Sequence, residues 1–103
     1  MTVIGFLSCA PVTEGEMSNE VAAAVEALEA FDVTYETGPM GTTIEAESTD
    51  ELFTAARAAH DAVDADRVST ILKVDDKRTV DQRAWEKVDA VEAKLGRPPT
   101  NRE

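Results

Sequence analysis

The chain has 103 residues, and its ten Lys and Arg stand against 21 Asp and Glu, a formal net charge of −11. A balance this acidic excludes non-specific nucleic-acid binding, which needs clustered positive charge to displace counterions from phosphates. With 43% hydrophobic residues the chain can build a core, and its length suits a single domain.

Residues 2–9 (TVIGFLSC) are apolar, rich in strand formers and closed by Ala10-Pro11, so they predict a first strand. A polar loop with Gly15 follows. Ser18 is the expected N-cap of a helix that places Val21, Val25 and Leu28 on one stripe and ends at Phe31-Asp32. Residues 33–37 alternate apolar and polar, Gly38-Pro39-Met40-Gly41 is turn material in which glycine accepts a positive φ, and residues 42–47 form a partner strand. Ser48-Thr49-Asp50-Glu51 predicts a capping box. The helix behind it has Leu52, Ala56, Ala59 and Val63 on one stripe, with Phe53 and His60 beside them. Residues 68–74 form another strand. Thr79-Val80-Asp81-Gln82 is expected to be a second capping box, opening a helix with Trp85, Val88, Val91 and Leu95 that stops at Gly96 before Pro98-Pro99.

This β-α-β-β-α-β order with an extra helix predicts an α+β fold, a ferredoxin-like βαββαβ sandwich with a C-terminal helix. One domain is expected over 1–96, and 97–103 form a tail. Two helices cover one face of a four-stranded antiparallel sheet, and the other face must be solvated, bind ligand or meet another subunit. On the first strand either Ile4, Phe6 and Ser8 or Val3, Gly5, Leu7 and Cys9 face outward, the Ser8 set being the more polar and aromatic. With that set outward the free face mixes apolar groups with Ser8, Thr43, Glu45, Lys73 and Asp75, a composition suited to a ligand pocket at a subunit interface.

The acids are unevenly spread. Residues 1–50 hold ten acids and no Lys or Arg, and the rest carry eleven acids and all ten bases. Two readings stand: a solvated acidic surface adapted to high salt, as in a halophilic protein, or an acidic site for a cationic ligand. Cys9 is the single cysteine and reads as a small core residue. The N-terminus lacks a basic n-region, and no stretch approaches the ~20 apolar residues that span a membrane. A cytoplasmic protein without a membrane or nucleic-acid partner is expected.

Catalytic signatures are sparse. His60 is the only imidazole, which leaves neither a zinc set nor a nucleophile–base pair, and it reads as a structural histidine on the inner edge of its helix. Trp85 reads as packing. Lys77 and Arg78 near a helix N-terminus suit either an anion site or a surface ion-pair patch with Asp75 and Asp76. The expectation is no enzyme, no metal and no cofactor.

The segment Tyr35-Glu36-Thr37-Gly38-Pro39-Met40-Gly41-Thr42-Thr43-Ile44-Glu45, with Asp50-Glu51-Leu52-Phe53, Ala59-His60-Asp61-Ala62, Arg67-Val68 and Lys73-Val74-Asp75-Asp76-Lys77-Arg78, resembles the thiamine-binding, YkoF-like protein family. The resemblance covers almost the whole chain. It implies the ferredoxin-like fold, assembly into dimers and tetramers through the sheets, and binding of thiamine or its hydroxymethylpyrimidine part without established catalysis. Thiamine joins a flat aminopyrimidine to a cationic thiazolium. On that basis Glu45 is expected to accept from the exocyclic amino group with Ser8 and Thr43 in support. Phe6 and Met40 would offer the ring a surface, and Lys73 would point aside or pair with Asp75. The alternative is a structural or regulatory assembly module with no small-molecule ligand.

Overall fold

The computed structural model describes residues 2–102. Its elements run β1 (Val3–Pro11), α1 (Ser18–Ala27) with a 3-10 turn at Leu28–Ala30, β2 (Thr34–Thr37), β3 (Thr42–Ala46), α2 (Thr49–Asp61), β4 (Val68–Asp75) and α3 (Ala84–Leu95). The strands form one antiparallel sheet in the order β2-β3-β1-β4. That order, with both crossover helices on one face, is the ferredoxin-like α+β sandwich expected from the sequence.

The period of two along β1 sorts the faces. Val3, Gly5, Leu7 and Cys9 turn toward α1 and α2 and are buried, whereas Ile4, Phe6 and Ser8 turn to the open face. Leu28, Ile44 and Leu52 are the largest fully buried side chains. Each contributes about 1.5–3 kcal/mol of burial. Ala55, Ala56 and Ala59 let α2 lie close to the sheet, and Leu52 fills the space that Gly5 leaves: a Cβ on Gly5 would stand 2.7 Å from Leu52 Cδ1. The Tyr35 hydroxyl donates to Glu29, tying β2 to the turn after α1.

Several local expectations are corrected. β1 runs on through Pro11, because a proline nitrogen that faces away from the β4 ladder removes no bond from it. Ser18 is the first helical residue of α1, not its cap; its N–H donates to Glu16 at 2.8 Å. The capping box at α2 is half formed: Ser48 Oγ accepts the Glu51 N–H at 3.1 Å, but the Glu51 carboxylate accepts instead from the Asp32 N–H. The turn glycines 38 and 41 do not adopt positive φ, since only Gly96 does among the described residues. Gly41 is there for space: a Cβ would lie 2.6 Å from Phe6 Cζ and 2.8 Å from the Leu7 carbonyl oxygen.

The largest correction concerns α3. Thr79–Gln82 caps nothing: the helix starts later, at Ala84, and Asp81 accepts the Thr2 N–H at 2.6 Å. The cap of α3 is Glu45, on the open face of β3. Its carboxylate accepts the Ala84 N–H at 2.7 Å and the Arg83 guanidinium at 2.9 Å, and also the Thr34 hydroxyl at 3.1 Å. Asp75, two strands away in the same row across Ile4, pairs with Lys87. The first turn of α3 therefore crosses one end of the open face, while the rows of Phe6 and Ser8 stay uncovered. Trp85 is half exposed and the apolar stripe of α3 is not packed: Ala84 is buried, but Val91 and Leu95 are 51% and 47% exposed.

Arg83 holds the Glu45 carboxyl below the usual carboxylate range, with the Ala84 N–H and the Thr34 hydroxyl acting the same way against burial. A depressed folded value means that the clasp is complete above the unfolded carboxylate range and fades as pH falls through the folded value. Trp85, the single tryptophan, reports it. Glu45→Ala is expected to weaken α3 docking by about 1 kcal/mol, the worth of a helix cap, and to shift Trp85 emission to the red at neutral pH. The wild type is expected to make that shift only in acid, and identical acid titrations of the two proteins would contradict the clasp. Gly41→Ala, which forces Phe6 and the Leu7 backbone to move, is expected to cost about 1–3 kcal/mol in urea unfolding; an unchanged midpoint would contradict it.

Candidate functional site

The sequence-predicted residues fall into two groups. Phe6, Thr43, Glu45, Lys73 and Asp75 share the open face, where the register sets Thr43, Phe6 and Lys73 in one row and Glu45, Ile4 and Asp75 in the next. Glu45 and Asp75 are engaged by α3 as described, and the Glu45 side chain is only 11% exposed. Lys73 is exposed and stands across β1 from Thr43, and the ion-pair partner of Asp75 is Lys87. Arg78 pairs with Asp76 at 2.9 Å, which places the Lys77–Arg78 segment in a surface ion-pair patch before a loop and not at a helix end.

Met40 belongs to a different place, at whose border Ser8 of the open-face set also lies. β1 pairs with β4 along its length to Pro11, but with β3 only as far as Leu7, because the chain turns away at Gly41. The last residues of β1 thus outrun β3. The gap they leave, on the helix-covered side, is a cleft of about 190 Å³ between α1 and the β2–β3 turn. Its walls are Leu7, Cys9, Val21 and Leu28, and Met17 and Met40 flank it; Met40 is 81% exposed. Ser8 lines the cleft as well as belonging to the open-face register. The hydroxyls of Thr37 and Thr42 bond each other at 3.0 Å inside it.

The sequence did not single out Met17, Val21 or Cys9 as site residues: Val21 and Cys9 fit a core pattern and Met17 falls in the loop before α1, whereas the cleft arises from where two strands stop pairing. Its electrostatics were nearer the surface of the sequence. Every lining residue comes from the stretch 7–42, which holds seven acids and no Lys or Arg. No lining residue is itself charged, so the cleft walls are neutral and place no cation against a ligand.

Cys9 is a core residue as expected. Burial pushes its thiol up, and the Thr70 hydroxyl opposite it offsets part of the shift. Thr70 Oγ1 also bonds His60 Nδ1 at 2.5 Å, so the histidine is half-buried and tied to β4, in keeping with a structural role. No group of three His, Cys, Asp or Glu able to hold a metal ion forms among the described residues, and no helix among them is long and apolar enough to cross a membrane.

Known proteins are similar to this chain in sequence or in fold. A UPF0045 protein of Methanothermobacter thermautotrophicus is 46% identical over 98 residues, which cover 92% of this chain and 95% of that one. The crystal structure of a hypothetical protein from Methanocaldococcus jannaschii superposes with a TM-score of 0.80 at 32% identity, covering 87% of this chain and 95% of that one. A Thermotoga maritima protein, provisionally described as a thiamine biosynthesis/salvage protein, has the same fold, with a TM-score of 0.75 at 24% identity over 88% of this chain and 99% of its own. The family model for thiamine-binding proteins matches residues 6–92, from the middle of β1 into α3 and across both the cleft and the open face, and the chain therefore belongs to the thiamine-binding protein family.

Proposed function

We propose that the protein binds thiamine or its hydroxymethylpyrimidine part in the cleft between α1 and the β2–β3 turn, and releases it unchanged. The observation that carries this reading is the composition of the cleft: an apolar slot of about 190 Å³, flanked by two methionines and built wholly from a base-free stretch of chain. A flat neutral ring fits between Met17, Met40 and the aliphatic wall, where thioether sulfur meets aromatic faces favourably. The thiazolium, which carries the positive charge, then lies toward the open mouth, where no Lys or Arg lines the cleft to repel it. The Thermotoga neighbour's description points the same way.

A binding role without chemistry is supported by the state of the only thiol. Held up by burial, Cys9 stays protonated at neutral pH and offers no thiolate to the electrophilic thiazolium. On this reading Glu45 and Asp75 hold α3, and Phe6, Thr43 and Lys73 form a surface for a second copy of the chain. Ile71 on that face, with Val91 and Leu95 running off its edge, is the apolar area such a copy would cover. A homo-oligomer joined through this face leaves the cleft, on the other side of the sheet, open to ligand.

Calorimetry with thiamine tests the reading. Heat of binding at one site per chain is expected, with the vitamin recovered intact afterwards. Met40→Lys, which puts a cation at the mouth and removes the thioether, is expected to weaken binding by about tenfold. No heat with the wild-type protein would leave the assembly-module alternative standing. Separately, Val91→Glu is expected to lower the subunit count seen by light scattering without changing thiamine affinity; an unchanged count would remove this face from the assembly.

A further inference from the structure

In an antiparallel ladder the N–H and C=O of one residue point to the same side, and the side alternates along the strand. The Val12 N–H donates to the Arg67 carbonyl at 2.8 Å, which continues the β1–β4 register by one pair and fixes the phase. Ile4, Phe6, Ser8 and Ala10 therefore spend their backbone groups on β4, and Val3, Gly5, Leu7, Cys9 and Pro11 direct theirs toward β3. The first three of these find β3. Extending the β1–β3 register would set Met40 opposite Cys9, but Met40 lies in the turn, and the Gly38 N–H there bonds the Gly41 carbonyl instead.

The N–H and C=O of Cys9 are thus left without a protein partner among the described residues, on a residue only 7% exposed that lines the cleft. A buried backbone donor and acceptor rarely stay unpaired, because each forfeits its hydrogen bonds to water. Pro11, next in the same phase, has no N–H to offer, so Cys9 presents the one complete donor–acceptor pair on this unpaired stretch of β1.

We propose that the backbone of Cys9 is the specificity element of the cleft and reads a planar heterocycle that carries a ring-nitrogen acceptor beside an exocyclic amino donor. This rests on the cleft being the ligand site proposed above. The Cys9 N–H donates to the ring nitrogen, and the amino group donates to the Cys9 carbonyl. A 4-aminopyrimidine has that edge. A 4-oxopyrimidine does not: its oxygen meets the Cys9 carbonyl, acceptor against acceptor. Selectivity follows from the unmet pair more than from the bonds made, since a ligand of the wrong pattern seals two buried polar groups away from water. Recognition by backbone also explains how a largely apolar cleft, whose Thr37 and Thr42 hydroxyls are engaged with each other, can tell one heterocycle from another.

The test compares thiamine with oxythiamine, and 4-amino-5-hydroxymethyl-2-methylpyrimidine with its 4-oxo counterpart, by calorimetry on the wild-type protein. The amino form of each pair is expected to bind ~10-fold tighter or more. Cys9→Ala is expected to keep that ratio, and amide exchange at Cys9 is expected to slow when the amino ligand is bound. Equal affinity for amino and oxo forms would overturn the backbone assignment while leaving thiamine binding intact. Loss of discrimination in Cys9→Ala would assign it to the thiol and overturn the proposal as well. Absence of binding by every compound would overturn both this inference and the function it rests on.

Discussion

Much of this structure depends on one mismatch of strand lengths. β3 leaves β1 after Leu7, while β4 accompanies β1 to Pro11. The point of departure is held by a close contact: the Phe6 ring and the Leu7 carbonyl approach Gly41 so nearly that no side chain fits there. Were β3 to continue beside β1, hairpin backbone would fill the space between α1 and the sheet, and Cys9 would have an ordinary ladder partner. The early turn produces an apolar cavity and an unmet donor–acceptor pair in one place. It also turns Met40 outward at the mouth of that cavity.

The two faces of the sheet thereby acquire separate tasks. The helix-covered face holds the core and, at its end, the cleft. The open face is occupied at one end by α3, which the sheet holds through carboxylates from two strands. Glu45 does most of this, as it supplies both the missing cap of the helix and the partner of Arg83. Burying that carboxylate is tolerable because its oxygens meet the Ala84 and Arg83 N–H groups and the Thr34 hydroxyl. The acidic excess of the chain divides in the same way. Glu45 and Asp75 are tied to specific bases, while Glu14, Glu16, Glu26 and Glu29 of the first helix and its flanking loops remain exposed at the surface.

What was legible in the sequence follows from how local each signal is. The order of elements identified the fold, and period-two alternation split each strand into two sets, but on β1 it could not say which set faces outward, because Ile4-Phe6-Ser8 and Val3-Gly5-Leu7-Cys9 are both largely apolar. The Ser48 cap was legible because its partner lies three residues away. The cap of α3 was not: Glu45 is 39 residues from Ala84, and Thr79–Gln82 offered a local pattern that the chain leaves as loop. The apolar stripe of α3 looked like core, yet only its first turn reaches the sheet. The cleft was hidden for a similar reason. Val21 and Cys9 fit core periodicity, Met17 falls in a loop, and no single segment records where two distant strands part. Met40 and Ser8 were expected in a ligand site and do line a cavity, although that cavity opens on the helix-covered side of the sheet and Glu45 and Thr43 lie on the other.

The central claim is that the ligand enters the gap beyond the end of β3 and not the open face. Backbone amide chemical-shift mapping of the labelled protein during a thiamine titration tests it most directly. Shifts concentrated at Cys9, Met17, Val21 and Met40–Thr42, with Thr43, Glu45, Lys73 and Asp75 little changed, are the predicted result. Shifts centred on Phe6, Thr43, Glu45 and Lys73, with the cleft residues unmoved, would contradict it.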